Sequence, residues 1–323
     1  MQDSQYNLRV VYGDILRGYS AMLYNESTLY IRHHTNDSLA AINIHYDDFI
    51  NQAKINKLPT EKESLALLLK QDRWTEYYEN ELENSRLMIK GLEENRRTVF
   101  LESQLEDVKK DIRREQANYS SLAYKKQQLI GLTQEIYANR QIKNLFICSS
   151  LFTDDKFIKP VFDLDDWNNL SNKEFNDLEI AYNIKMDNFS SNSIKKLSLA
   201  SFVQSMWGLS NDSVYDFFGV PICKLSTFQV DLMQWTKIFA SILSKHQNIP
   251  EELYDDPNAL IDFVNTGRNI KEIQDKAGGG NATIVGAKQK DYQKINRVTN
   301  PGEFINKIKD SGKTTAGLMD LIK

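Results

Sequence analysis

Two runs decide the fold class: Glu76-Tyr-Tyr-Glu-Asn-Glu-Leu-Glu-Asn-Ser-Arg-Leu-Met-Ile-Lys-Gly-Leu-Glu-Glu-Asn-Arg-Arg97 and, after a short break, Leu101-Glu-Ser-Gln-Leu-Glu-Asp-Val-Lys-Lys-Asp-Ile112. In the first, Tyr78, Leu82, Ser85, Ile89, Leu92 and Arg96 recur at steps of four and three. In the second, the stripe is Leu101, Leu105, Val108, Ile112, Glu115, Tyr119, Leu122, Lys126 and Leu129. Each spacing keeps its set on one helix face, and about four heptads of it predict a coiled coil. At 1.5 Å per residue the second arm alone would run roughly 40 Å. Residues 97–100 break the phase, and two readings stand: a hairpin turn, or a stutter in one continuous helix. Charge favours the hairpin. The first arm opens with Glu76, Glu79, Glu81 and Glu83 and ends with Arg96 and Arg97; the second opens with Glu102 and Glu106 and closes with Lys125 and Lys126. Antiparallel arms place opposite signs side by side, which selects an orientation, although each exposed pair contributes only about 0.2–1 kcal/mol. The absence of turn residues from Arg97-Thr-Val-Phe100 argues the other way.

Outward from this centre the chain reads as mainly α, with β structure confined to the N-terminus. Tyr19-Ser-Ala-Met-Leu-Tyr24 and Thr28-Leu-Tyr-Ile-Arg-His33 are aromatic and β-branched, and Asn25-Glu-Ser27 supplies a turn, so a hairpin is expected. A third strand is expected from residues 6–12, around Leu8, Val10 and Val11. From Asp37 the positions Leu39, Ile42, Tyr46, Phe49, Ile50 and Ala53 share one helix face, which ends before Pro59. Three capping-box patterns, Thr60 with Glu63, Ser171 with Glu174 and Ser226 with Gln229, mark further helix starts. The helix after Ser171 carries Phe175, Leu178 and Tyr182; the one after Ser226 carries Phe228, Leu232, Trp235 and Phe239 as expected core residues. Between them, shorter helices are expected near 193–207 and 212–218, with Gly219 and Pro221 as the stop.

These elements divide the 323 residues into four stretches: a small α+β region over 1–72, the coiled-coil region over 73–152, a helical domain over 153–267, and a basic tail over 268–323. The boundary between the middle two falls in 153–170, around Pro160 and Asp163-Leu-Asp-Asp-Trp167. The tail holds seven of the fourteen glycines and carries eleven basic against six acidic residues, so it is expected to be flexible and to order on a partner. The whole chain has a net charge of −4, too balanced to mark a polyanion-binding protein. No secretory leader and no run of eighteen apolar residues is present, so no membrane partner and a cytoplasmic setting are expected.

Chemistry leaves few marks. Gly312-Lys-Thr-Thr315 mimics the end of a phosphate-binding loop, but Lys307 stands where that loop needs glycine. His33, His34 and His45 lie close to Asp47 and Asp48, yet adjacent strand residues point to opposite faces. Strand-surface histidines are therefore preferred to a metal site built from His34, His45 and Asp48. Cys148 and Cys223 sit among apolar residues and read as buried small side chains. No catalytic, cofactor or metal residues are assigned. The residues proposed to bind partners are Tyr78, Leu82, Ile89, Leu105 and Ile112 on the heptad stripes, with Lys288, Lys290, Tyr292 and Arg297 in the tail.

The order of features carries a resemblance. Thr133-Gln-Glu-Ile-Tyr-Ala138, Ser149-Ser-Leu-Phe-Thr-Asp-Asp155, Asp216-Phe-Phe-Gly-Val-Pro-Ile222 and Leu225-Ser-Thr-Phe-Gln229 follow the β region and coiled coil and precede the basic tail. Together they are similar to virion and tail-assembly proteins of large tailed phages, of the tail assembly chaperone kind. That resemblance implies protein partners among virion or tail components, no catalysis, and a place in the host cytoplasm during assembly or in the virion. The rivals are a nucleic-acid-associated protein using the tail and an enzyme of another family.

Overall fold

The computed structural model describes residues 2–99, 102–163, 170–246 and 249–265. The fold is mainly helical with one small antiparallel sheet. Helix α1 (Gln2–Arg17) runs through the stretch where a strand was expected. Val11 and Ile15 fall four apart, so a helix turns both into one core, while Val10 stays exposed. Burial of one face outweighs the β propensity of two adjacent valines. Gly18, at φ +74°, ends the helix by donating to the Asp14 carbonyl at 3.0 Å; a side chain there would be strained.

Strands β1 (Tyr19–Tyr24) and β2 (Ser27–Arg32) form the expected hairpin. Its turn is the two-residue Asn25-Glu26, both with positive φ (46° and 62°), the twist that suits a tight hairpin. The third strand is β3 (Leu151–Phe152), which pairs with β2 through Ile31 opposite Leu151 and Tyr30 opposite Phe152. The single helix expected from Asp37 is two, α2 (Asn36–Ile44) and α3 (Tyr46–Ile55), separated only at His45 and burying the same face through Ile42, Phe49 and Ala53. Helix α4 (Glu61–Lys70) starts at the Thr60–Glu63 capping box.

Helices α5 (Glu76–Thr98) and α6 (Glu102–Ile130) lie side by side. The rest of the chain adds α7 (Gln134–Ser149), α8 (Asn172–Met186), α9 (Ser191–Leu199), α10 (Ser201–Leu209), α11 (Val214–Phe218), α12 (Thr227–Lys245) and a last helix, α13, over 257–265. The Ser171 and Ser226 capping boxes are both formed. The helix expected at 193–207 is broken at Ala200 into α9 and α10.

The chain clusters into two compact units, and neither is continuous in sequence. The first joins Met1–Ser64 to Leu132–His246 and holds two cores. One core packs Met22, Ile31, Phe49, Leu145, Leu151 and Leu178. The other packs Ile15, Leu197, Val203, Trp207 and Leu232. This departs from the four-stretch division. The segment proposed as a boundary at 153–170, of which 164–169 lie outside the described residues, sits between β3 and α8, and both feed the first core. A two-stranded hairpin cannot bury a face alone, so it takes helices from both sides of that segment.

The second unit consists of Leu65–Gly131 and, among the described residues, 249–265. Glu79 meets Lys126 and Ser85 meets Glu115, so α5 and α6 run antiparallel. Burial follows the heptads. Leu105, Val108, Ile112 and Ser85 are buried, and Leu82, Ile89 and Leu92 are half-buried between exposed neighbours. Three residues before Leu82 the stripe passes through Glu79, not Tyr78. Asp262 of α13 accepts from Arg96 (3.0 Å) and Lys109 (2.5 Å), holding the two helices where α5 ends and α6 begins. Residues 249–265, assigned from sequence to the helical domain that starts at 153, therefore pack with the helical pair instead.

A candidate binding pocket on the helical pair

Among the described residues, two places concentrate chemistry-bearing side chains. In the first unit, Ser20, His33 and Asp14 are each 3% exposed or less. Ser20 Oγ is 2.9 Å from His33 Nε2. The His33 ring lies edge-on to Phe189 and Phe228, with centroids 5.1 and 5.0 Å away, and its Nδ1 has no hydrogen-bond partner. Burial pushes the ring's pKa down to about 4, although Asp14 pulls it up. Asp14 takes Arg17 at 2.5 Å, and Lys185 Nζ lies 3.0 Å from its other oxygen, close enough to attract by charge without the alignment of a hydrogen bond. A hydroxyl, an imidazole and a carboxylate resemble the parts of a nucleophilic site. Here they are sealed: a fully buried hydroxyl meets no substrate, and a ring flanked by two phenyl faces has no room to turn toward one. The cluster acts as a polar pin between α1, the hairpin and α12.

His33 and His34 follow the end of β2 and both are buried, so the expectation of strand-surface histidines does not hold. The His34 Nε2–H donates to the Phe146 carbonyl at 2.9 Å and its Nδ1 is 3.2 Å from Ser38 Oγ. His45 instead faces Asp48 at 3.6 Å on the surface. No group of three His, Cys, Asp or Glu among the described residues is arranged to hold a metal. Cys148 is buried, and burial pushes its thiol up to about 12, so it is inert; Cys223 is exposed, contrary to the sequence reading.

The second place is a concavity at the start of α5 and the end of α6. Its construction is local at first. The last turn of α4 closes with Arg73 N–H donating to the Leu68 carbonyl at 3.1 Å, and Asp72 adopts a left-handed turn at φ 53°. This reversal drops Trp74, only 2% exposed, against the base of α5. Trp74 Nε1 donates to Glu79 Oε2 at 2.9 Å, and Lys126 Nζ from α6 donates to Glu79 Oε1 at 2.7 Å. Burial raises the Glu79 pKa, but the bonds from Lys126 and Trp74 outweigh it and hold the carboxyl below its usual range. Glu79 therefore locks the indole and the two helices together.

Above that lock lies a cavity of about 390 Å³. Trp74 and Leu129 line it together with Tyr78, whose ring packs on Trp74 at 5.2 Å, and with Tyr124. Arg73 and Lys125 border it, and Gln128 completes the wall. Tyr78 and Tyr124 are 42% and 63% exposed, and neighbouring Tyr77 is 70% exposed. Arg73 and Lys125 make no ion pair with any described carboxylate, whereas adjacent Lys126 is taken by Glu79.

The proposed partner-binding residues divide accordingly. Tyr78 lines the pocket. Leu105 and Ile112 are buried and Leu82 and Ile89 half-buried on the stripes of α5 and α6. Lys288, Lys290, Tyr292 and Arg297 lie outside the described residues. Sequence reasoning missed Arg73, Trp74, Tyr124 and Lys125 as a group. The available signal was Tyr77 and Tyr124, two large aromatics off the stripes in otherwise polar helices, while Tyr78 was read as a stripe residue. No protein-family model matches the chain, and neither a curated protein nor a solved structure matches it. Among the described residues, no helix is long and apolar enough to cross a membrane.

Proposed function

We propose that this chain is a non-enzymatic assembly protein that holds protein partners through the α5/α6 pair. One observation carries the reading: an aromatic pocket with two uncommitted cations stands open on an otherwise polar helical pair. Large exposed aromatics beside a concavity lose little conformational entropy on contact and are the residue type that dominates interfaces. The titratable cluster of the first unit supports the same reading, because it is closed to substrate. The heptad stripes support interlocking of the pair as a coiled coil, which would present the pocket on a stiff rod. The resemblance to tail-assembly and virion proteins of tailed phages supplies the setting: partners from the virion or tail, met in the host cytoplasm.

The test is pairwise co-expression of the chain with the proteins encoded beside its gene, followed by light scattering on the purified material. A stable complex with a virion or tail protein is expected, weakened by Tyr78→Ser combined with Tyr124→Ser. Absence of any complex, or a complex indifferent to those two changes, would refute this reading.

A further inference from the structure

The pocket's charge says what kind of segment fits it. Resting on the reading above, we infer that it takes an acidic linear peptide: one bulky apolar side chain entering between Tyr78 and Tyr124, with flanking carboxylates on Arg73 and Lys125. The floor is apolar, made by Trp74 and Leu129, and the cavity of about 390 Å³ holds one large side chain and parts of its neighbours. The two cations come from different elements, the α4–α5 turn and α6, and both line the pocket. Neither has a described carboxylate to neutralise it. An anion arriving there displaces no internal partner, and a charge-assisted bond to either cation is stronger than a neutral one.

Two other occupants fit less well. A nucleic acid strand needs cations along its path, since its affinity comes from neutralising successive phosphates. Along α5 as far as Arg86, Glu76 and Glu81 are exposed, and Glu83 holds Arg86 by two hydrogen bonds, so a strand leaving the pocket in that direction meets carboxylates and no uncommitted cation. The chain's own tail over 268–323, with eleven basic and six acidic residues, is repelled by the same two cations. An acidic peptide with a single anchor avoids both conflicts.

The probe is a fluorescein-labelled peptide, Gly-Ser-Asp-Asp-Leu-Phe-Asp-Asp-Ser-Gly, titrated with the full-length protein and followed by anisotropy. Three comparisons accompany it: the same peptide with Lys for every Asp, the same peptide with Ala for Leu-Phe, and an oligothymidylate. The acidic peptide should bind, with affinity falling by about tenfold when salt rises from about 50 to 300 mM. Removing the anchor should weaken it by a similar factor. Arg73→Glu with Lys125→Glu changes only exposed side chains, so the fold should survive, and it should reverse the preference toward the lysine peptide. Equal binding of both charge forms, tighter binding of the oligothymidylate, or no effect of the charge reversal would overturn the inference. If a virion or tail protein still binds in the co-expression test, such a result removes the peptide chemistry while leaving the assembly role standing.

Discussion

Lowering the pH from 6.5 toward 5 should destabilise the first unit through His33. The ring is flanked by Phe189 and Phe228, bonded to Ser20 and left without a partner at Nδ1, so an added proton would be buried with nothing to accept it. Asp14 favours the charged ring, while His34, Lys185 and Arg17 oppose it, and desolvation exceeds them all. The pKa falls from 6.5 in the unfolded chain to about 4 in the folded one. Between those values the unfolded state binds more protons, so stability is complete above pH 6.5 and declines as pH falls toward 4. At 1.36 kcal/mol per pH unit the full loss is about 3 kcal/mol, of which about 2 kcal/mol is gone by pH 5, roughly a thirtyfold change in the folding equilibrium. His34, also lowered by burial, adds in the same direction. Urea unfolding followed by tryptophan fluorescence at pH 8, 6.5, 5.5 and 5 measures this above the range where carboxylates protonate. The control is His33→Gln, which can still bond Ser20 and cannot titrate. Its stability should vary less with pH than the parent's by about 2 kcal/mol between pH 8 and 5. Parallel curves for the two proteins would show that His33 is not the group responsible.

The remaining expectations concern the helical pair and the second core. Glu79 should titrate below 4.5 by carbon NMR, in step with a shift of the Trp74 indole proton, since Lys126 and Trp74 bond its charged form. Its contribution to the pair is therefore present at neutral pH and lost on acidification below that value; a midpoint at or above 4.5 would contradict the lock. Spin labels at Leu82 and Tyr119 should lie within about 20 Å, because residues 79 and 126 meet; a continuous helix would separate them by about 55 Å. Trp207→Ala should cost about 3–5 kcal/mol by thermal or urea unfolding. Trp207 is 1% exposed, whereas Trp235 is only half-buried under Lys195, so Trp235→Ala should cost clearly less; equal costs would show that burial is misassigned.

What was legible in the sequence was local. The three capping boxes formed because each joins residues three apart, and a short hydrogen-bonded ring needs no help from elsewhere. The hairpin followed from two aromatic, β-branched runs and the turn residues at Asn25-Glu-Ser27, although Ser27 proves to open β2. The heptad stripes correctly marked which faces of α5 and α6 are withdrawn from water, since 3.5-residue spacing and burial share a cause. Tyr78 shows the limit: read as the first residue of the stripe, it lies one position off the buried face, is 42% exposed and lines the pocket.

What escaped the sequence depended on distant partners. Val10 and Val11 suit a strand in isolation, and only the presence of a core that receives Val11 together with Ile15 makes the segment a helix. The third strand, Leu151–Phe152, is two residues long and has no pattern of its own; β2 defines it by offering unpaired hydrogen-bonding groups. The pocket is the same case at greater distance. Trp74 and Tyr124 are fifty residues apart, and nothing in either neighbourhood names the other; the register between α5 and α6, set by Glu79 against Lys126, brings them to one opening. By itself the sequence determined the mainly helical class, the hairpin and the three helix starts that carry capping boxes, because those depend on periodicity and on bonds within one turn; the helical state of α1 and the breaks at His45 and Ala200 did not follow from it. Tertiary structure alone decided the two discontinuous units and the pocket, because burial and charge pairing join residues by distance in space and not by distance along the chain.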